Sequence, residues 1–279
     1  MNQRVESLAL KRRSLPNEFL YQVFSLLVIV IVVHAFYVSM VRPRADAVLA
    51  EQALAAQADV NYAAQPNFWV IIKDYEQESC FILMFWAFAI LGYKAVVAMR
   101  ERSLLERDLL PVREGVRILP EDTREYARVI EALPPEERRM LLPRVLHAAL
   151  ERFGATRNVQ DVSSVATTLL ESESARLDSE QSMIRYIAWA IPALGFIGTV
   201  RGIGLALGQA HRAVQGDVSG VTENLGTAFN STLIALLISI VVMFLVHQLQ
   251  LVQERLVFDT QTYVDHNLVR HLHSHGSGA

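Results

Sequence analysis

Four stretches of the chain are apolar over about the 20 residues a helix needs to cross a bilayer. They are 19–41, 80–97, 186–210 and 226–249. The first holds one ionisable side chain, His34, and the second ends close to Lys94. Between the second and third lies 98–185. Around 121–133 and 136–153 this segment carries mixed charge, with apolar positions at helical spacing of three and four. Pro111, Pro120 and the Pro134-Pro135 pair punctuate it, since the residue before a proline is biased away from helix. From 159 to 184 there is neither Pro nor Gly, which predicts one long helix running into the third span. The fourth span meets no breaker until Gly276 and is expected to project well beyond the membrane. Residues 45–58, ADAVLAEQALAAQA, read as a short helix between the first two spans. The predicted fold class is an all-α integral membrane protein. It has four transmembrane helices, a helical cytoplasmic domain, and long helices extending from the membrane.

Charge orients these spans. Cytoplasmic flanks carry the excess of Lys and Arg. Lys11, Arg12 and Arg13 precede the first span, Arg100, Arg102 and Arg107 follow the second, and Arg185 precedes the third. Segment 42–79 has three basic residues (Arg42, Arg44, Lys73) against six acidic ones (Asp46, Glu51, Asp59, Asp74, Glu76, Glu78). The expected topology is N-in and C-in. Residues 1–18 form a cytoplasmic N-terminus, 42–79 a periplasmic segment, 98–185 the cytoplasmic domain, 211–225 a periplasmic turn, and 250–279 a cytoplasmic helix and tail. Tyr93, Tyr186 and Trp189 fall at the cytoplasmic interface, as belt aromatics do, and Lys94 is expected to snorkel there. The run 19–41 is longer than a signal peptide's apolar core and reads as an uncleaved anchor.

Composition agrees. Of 279 residues 52% are hydrophobic and the mean hydropathy is +0.26, high for a soluble domain. A net charge of -3 gives no reason to expect nucleic acid as a partner. The lone Cys80 allows no intrachain disulfide, and no metal site or cofactor is expected. His271, His273 and His275 read as part of a disordered tail. The chain lacks a nucleophile elbow, a P-loop and HExxH, so it is not expected to be an enzyme.

Candidate chemistry concentrates in the last two spans. The third carries Pro192, which should kink it, and Gly195, Gly198, Gly202, Gly204 and Gly208. Gly198/Gly202 and Gly204/Gly208 are GxxxG pairs, a close-packing signature that serves either within one chain or between chains. The fourth has a stripe of small or hydroxyl residues at Ala228, Thr232, Ala235 and Ser239, with Asn230 and Ser231 beside it. A membrane Thr can simply bond back to its own helix. Thr199 facing Thr232 at similar depth adds a second possibility, that the two ligate water or a hydrated ion. Arg201 is costly at bilayer depth, about 2.5–3.5 kcal/mol on insertion scales. Either it snorkels, or it pairs with Asp217, Glu223 or a partner carboxylate.

The segment IPALGFIGTVRGI, followed by LGTAFNSTLIALLISI, resembles the MotA/TolQ/ExbB proton-channel family. The likeness runs over about 80–250, with specific motifs in 186–240, and is closest to the TolQ/ExbB branch. It implies a homo-oligomer, a helical pentamer, around a pair of single-span subunits like ExbD, TolR or MotB. It also implies use of proton-motive force for transport or mechanical work at the envelope, in a bacterial inner membrane. Thr199 and Thr232 fall on the family's two pore threonines, and Thr227, Ser231 and Asn230 flank the path. Arg201 stands where TolQ and ExbB carry Trp, and Thr227 where they carry Glu. No acidic residue lies inside the four spans, so any proton-carrying carboxylate is expected from the partner. The first span is additional to the TolQ/ExbB plan. A non-conducting scaffold that anchors an envelope complex is the alternative function.

Overall fold

The structure, a computed structural model, describes residues 17–58, 62, 65–110 and 116–273. Lys11, Arg12, Arg13, Pro111, His275 and Gly276 lie outside the described residues. In chain order the α-helices are α1 (Asn17–Phe36), α2 (Arg42–Ala58), α3 (Phe68–Ile71), α4 (Tyr75–Leu105), α5 (Thr123–Glu131), α6 (Leu141–Thr156), α7 (Val159–Glu180), α8 (Ser182–Gly208), α9 (Ala210–Val214) and α10 (Ser219–Asn267). Four helical runs are long and apolar enough to cross a membrane: Glu18–Ala58, Tyr75–Leu105, Val159–Gly208 and Ser219–His271. The protein is therefore an all-α, multi-pass membrane protein. The chain divides into two compact units.

The first unit comprises residues 1–90 and 186–243. In it the expected break after the first span is absent: α1 continues through a π-helical turn, Tyr37–Val41, into α2. Pro43 accounts for the turn. It has no N–H to donate to Ser39, and its ring crowds that carbonyl, so the ladder widens just before it. The Arg42 N–H bonds instead to the Tyr37 carbonyl, five residues back. This has a consequence for side chains. In a regular helix the eight steps from His34 to Arg42 would overshoot two full turns by about 80°. One inserted residue removes that overshoot, so both side chains share a face. Both meet Glu78 at the start of α4. His34 Nδ1 lies 2.7 Å from Oε1, and the Arg42 guanidinium holds Oε2. The Arg42 guanidinium also stacks over Tyr75, 4.3 Å from the ring centre. Val33, Tyr37, Val41 and Ile72 form the buried apolar cluster around this joint.

The second unit comprises residues 91–185 and 244–279. Its core gathers Leu141, Leu142, Val145, Leu146, Ala149, Leu150 and Phe153 of α6 against the Val162, Ala166, Leu170 stripe of α7. Val264 and Leu268 of α10 join them. These positions recur every three or four residues, the period that turns one helix face inward. Asn158 caps α7 by accepting from the Gln160 N–H at 2.9 Å. The long helix expected from 159 is interrupted only by a turn at Gln181, where the buried Gln181 amide donates to Gln253. Glu173 continues the α7 stripe as a buried carboxylate, paired with Arg144 at 3.3 Å and with Arg176. Burial, then the nearby Glu173, pushes the Glu101 carboxyl above its ordinary value, although it accepts the Leu141 N–H. Lys94 is buried and pairs with Glu180 at 3.0 Å, because α7 brings a carboxylate to it. His271 and His273 are not part of a loose tail. The Ile118 N–H donates to His271 O at 2.8 Å, and the His273 N–H to Ile118 O at 3.1 Å.

Candidate functional site

Within the first unit, α8 and α10 form an antiparallel hairpin closed by glycine. A Cβ placed on Gly195 would collide with Ala235, one on Gly198 with Ser231, and one on Gly202 with Ala228 at 2.7 Å. Indices rise by seven along α8 while they fall by seven along α10, so one register holds for the whole seam. Gly195, Gly198 and Gly202 therefore pack within the chain. Gly204 and Gly208 have nothing within 4 Å of a built Cβ and are open on this chain. The short α9 and a turn through Gly216, at φ +98°, join the two helices. Helical backbone continues on both sides of Pro192.

The close approach brings three hydroxyls together. Thr232 Oγ1 donates to the Gly195 carbonyl at 3.0 Å, and Ser231 Oγ lies 3.4 Å from the same oxygen. Thr199 Oγ1 is 3.3 Å from Gly195 O and 3.2 Å from Ala228 O. The Thr199 and Thr232 hydroxyls also bond directly to each other. These cross-helix bonds exceed the local back-bonding that a lone Thr makes. They form a short polar chain inside an apolar hairpin. Thr227 and Asn230 are half-buried on α10 and join none of these bonds.

Arg201 lies two residues after Thr199 on α8. Neither Asp217 nor Glu223 holds it. Glu76 does, in a two-point fork of 2.6 Å to Nε and 2.8 Å to Nη2. The carboxylate is nearly enclosed (11% exposed) and the guanidinium less so (40%). The stem of Glu76 crosses α8 at Gly198, where a Cβ would come within 3.1 Å of its Cγ. Glycine at 198 thus makes room for both Ser231 and Glu76. Glu76 was missed in the sequence because it lies just before the 80–97 span, so the chain does bring a carboxylate of its own to the hairpin. Nearby, Lys73 approaches Glu223 at 3.8 Å. Asp74 has a buried Oδ2 with no hydrogen-bond partner. Burial raises its carboxyl above the ordinary aspartate value; Lys73 and Arg201 oppose that rise, and Glu76 and Glu223 add to it. Among the described residues, no group of three or more His, Cys, Asp or Glu could hold a metal ion.

No curated protein and no solved structure matches the chain. A family model does, over residues 137–262, which include α6, α7, α8, α9 and most of α10 and so the whole hairpin. That family is non-enzymatic in kind, and its members work as oligomers with a partner. Over those residues the chain is similar to the MotA/TolQ/ExbB proton channel family.

Proposed function

We propose that the protein is a proton-conducting motor subunit that uses proton-motive force to drive transport or mechanical work at the bacterial envelope. It sits in the inner membrane, N-in and C-in, with 98–185 cytoplasmic and 42–79 and 211–225 periplasmic. It acts as a pentamer around a pair of ExbD/TolR/MotB-like single-span subunits. The ion path follows the hairpin at Thr199, Thr232 and Ser231, flanked by Thr227 and Asn230. The observation that carries this reading is the convergence of three hydroxyls on the Gly195 carbonyl. Hydroxyls gathered between two membrane helices either lock the helices together or line a polar path, and their clustering on one carbonyl supports the path. The open Gly204 and Gly208 support a contact with a second chain, because small residues are what let helix backbones approach in lipid.

A non-conducting scaffold is the second reading. It is favoured by the same hydroxyls finding acceptors within one chain. Purification with an ExbD/TolR/MotB-like single-span protein, followed by native mass measurement in mild detergent, tests the proposal. Five chains with two partners are expected in about that ratio. A stable monomer, with or without the partner, contradicts it.

A further inference from the structure

The charged end of the hairpin holds more than an ion pair. Arg201 offers one planar fork, and two carboxylates act on its charge. Glu76 occupies the fork. Asp74, two residues earlier, feels the Arg201 charge yet keeps a buried oxygen without a partner. A buried unpaired carboxylate is far costlier than a neutral carboxyl. The other charges around them are already engaged. Lys73 faces Glu223 of α10, and Glu78 of α4 is held by His34 and Arg42 from the first helical run. Among the described residues, Tyr37 feels the Asp74 charge and Cys80 the Glu76 charge, and Tyr75 lies between the two carboxylates in sequence.

We propose that Asp74 and Glu76 form a proton-loading site in which two carboxylates compete for the Arg201 guanidinium. Its role in transport rests on the channel reading above. In the structure Glu76 holds the guanidinium; in the proposed resting state Asp74 carries the proton. Transfer of that proton breaks the O–H bond at Asp74 and forms one at Glu76. The negative charge passes to Asp74, the fork on Glu76 opens, and Arg201 follows the charge. The stem of Glu76 lies over Gly198, where Ser231 also packs, so this exchange moves a side chain beside Ser231 of the hydroxyl cluster. The reverse transfer restores the starting pair, so no other reactant is needed.

The test reads protonation directly on the purified full-length chain in liposomes, by infrared titration with aspartate and glutamate carboxyls separately carbon-13 labelled. The Asp74 band is the one lost in Asp74→Asn. Glu76→Gln removes a neighbouring anion and frees Arg201, so the Asp74 midpoint is expected to fall by about one pH unit or more. Arg201→Gln removes the cation, so the midpoint is expected to rise. Arg201→Lys keeps the charge without the fork, gives a smaller rise, and serves if Arg201→Gln does not fold. An Asp74 midpoint unmoved in all three variants overturns the proposal. Proton flux into liposomes holding the chain together with its single-span partner separates this from the channel reading. A parent that conducts, with an Asp74→Asn variant that conducts equally, overturns the loading site and leaves the channel intact. A parent that conducts nothing removes the channel reading, and the coupled midpoints still decide the loading site.

Discussion

Arg201 shows how one side chain can be placed by a residue far away in sequence. Its acceptor is 125 positions earlier, and the fork is two-point. Lys cannot reproduce that geometry, so Arg201→Lys should rescue poorly. Arg201→Trp, which suits a membrane interface, should fail, whereas Glu76→Arg with Arg201→Glu should partly restore assembly and activity. Growth or motility dependent on the energised process, measured beside detergent stability, checks this; a fully active Arg201→Trp contradicts the pairing. Glu101 gives a second residue-level prediction. Its folded carboxyl is raised by burial first and by Glu173 next. Such a group adds stability below its unfolded value, and that contribution is lost as pH rises through the folded one. Glu101→Gln keeps an acceptor for the Leu141 N–H and should raise the melting temperature at neutral pH while flattening its decline above the ordinary glutamate range. A melting temperature unchanged at every pH contradicts it. The Thr199 and Thr232 juxtaposition was legible from matching depth on facing spans. The Arg201 partner was not, because hydropathy places Glu76 outside the span and says nothing about which helix packs beside which.

At the scale of elements, the glycines of α8 divide by what faces them. Gly202→Ala brings a Cβ to 2.7 Å from Ala228 and should cost about 1–3 kcal/mol of overpacking in the hairpin. Gly204→Ala and Gly208→Ala meet nothing within the chain and should leave its fold intact, gaining up to about 1 kcal/mol of helix propensity each. Loss of the oligomer in Gly204→Ala or Gly208→Ala, with monomer helicity retained by circular dichroism, places these faces between chains. An unchanged oligomer in both contradicts an intersubunit role. GxxxG spacing showed that close approach was needed but not whether a second chain supplies it. The first helical run was only partly legible. Its apolar length was plain, but the π turn before Pro43 leaves no hydropathy signal, and it is what turns Arg42 and His34 together onto Glu78. Pro43→Ala should relax that turn, rotate Arg42 away and weaken the joint, seen as faster hydrogen exchange at the start of α4; exchange equal to the parent contradicts it.

For the whole molecule, the charge flanks give a topology that single-cysteine labelling can read. Cys80 is fully buried and serves as a silent background. A cysteine at Glu151 should react only from the cytoplasmic side and one at Val214, which is 90% exposed, only from the periplasmic side. The reverse pattern contradicts the N-in and C-in arrangement. The four spans were legible because a bilayer demands long apolar helices, and the likeness to the family was legible because its motifs lie in the hairpin. How the helices of the second unit fold was less so. Lys94 looked like an interfacial lysine until α7 supplied Glu180, a tertiary contact that no local pattern encodes. The central claim is that protons pass along the hairpin hydroxyls. It is tested most directly by pH-gradient-driven proton uptake into liposomes holding the purified complex with its single-span partner. Thr232→Val keeps the shape and removes only the hydroxyl that bonds Gly195 and Thr199. The account predicts an uptake rate at least about tenfold lower, the rate equivalent of one lost hydrogen bond of roughly 1.4 kcal/mol, with the complex still assembled and Thr232→Ser close to the parent. Uptake in Thr232→Val equal to the parent contradicts it.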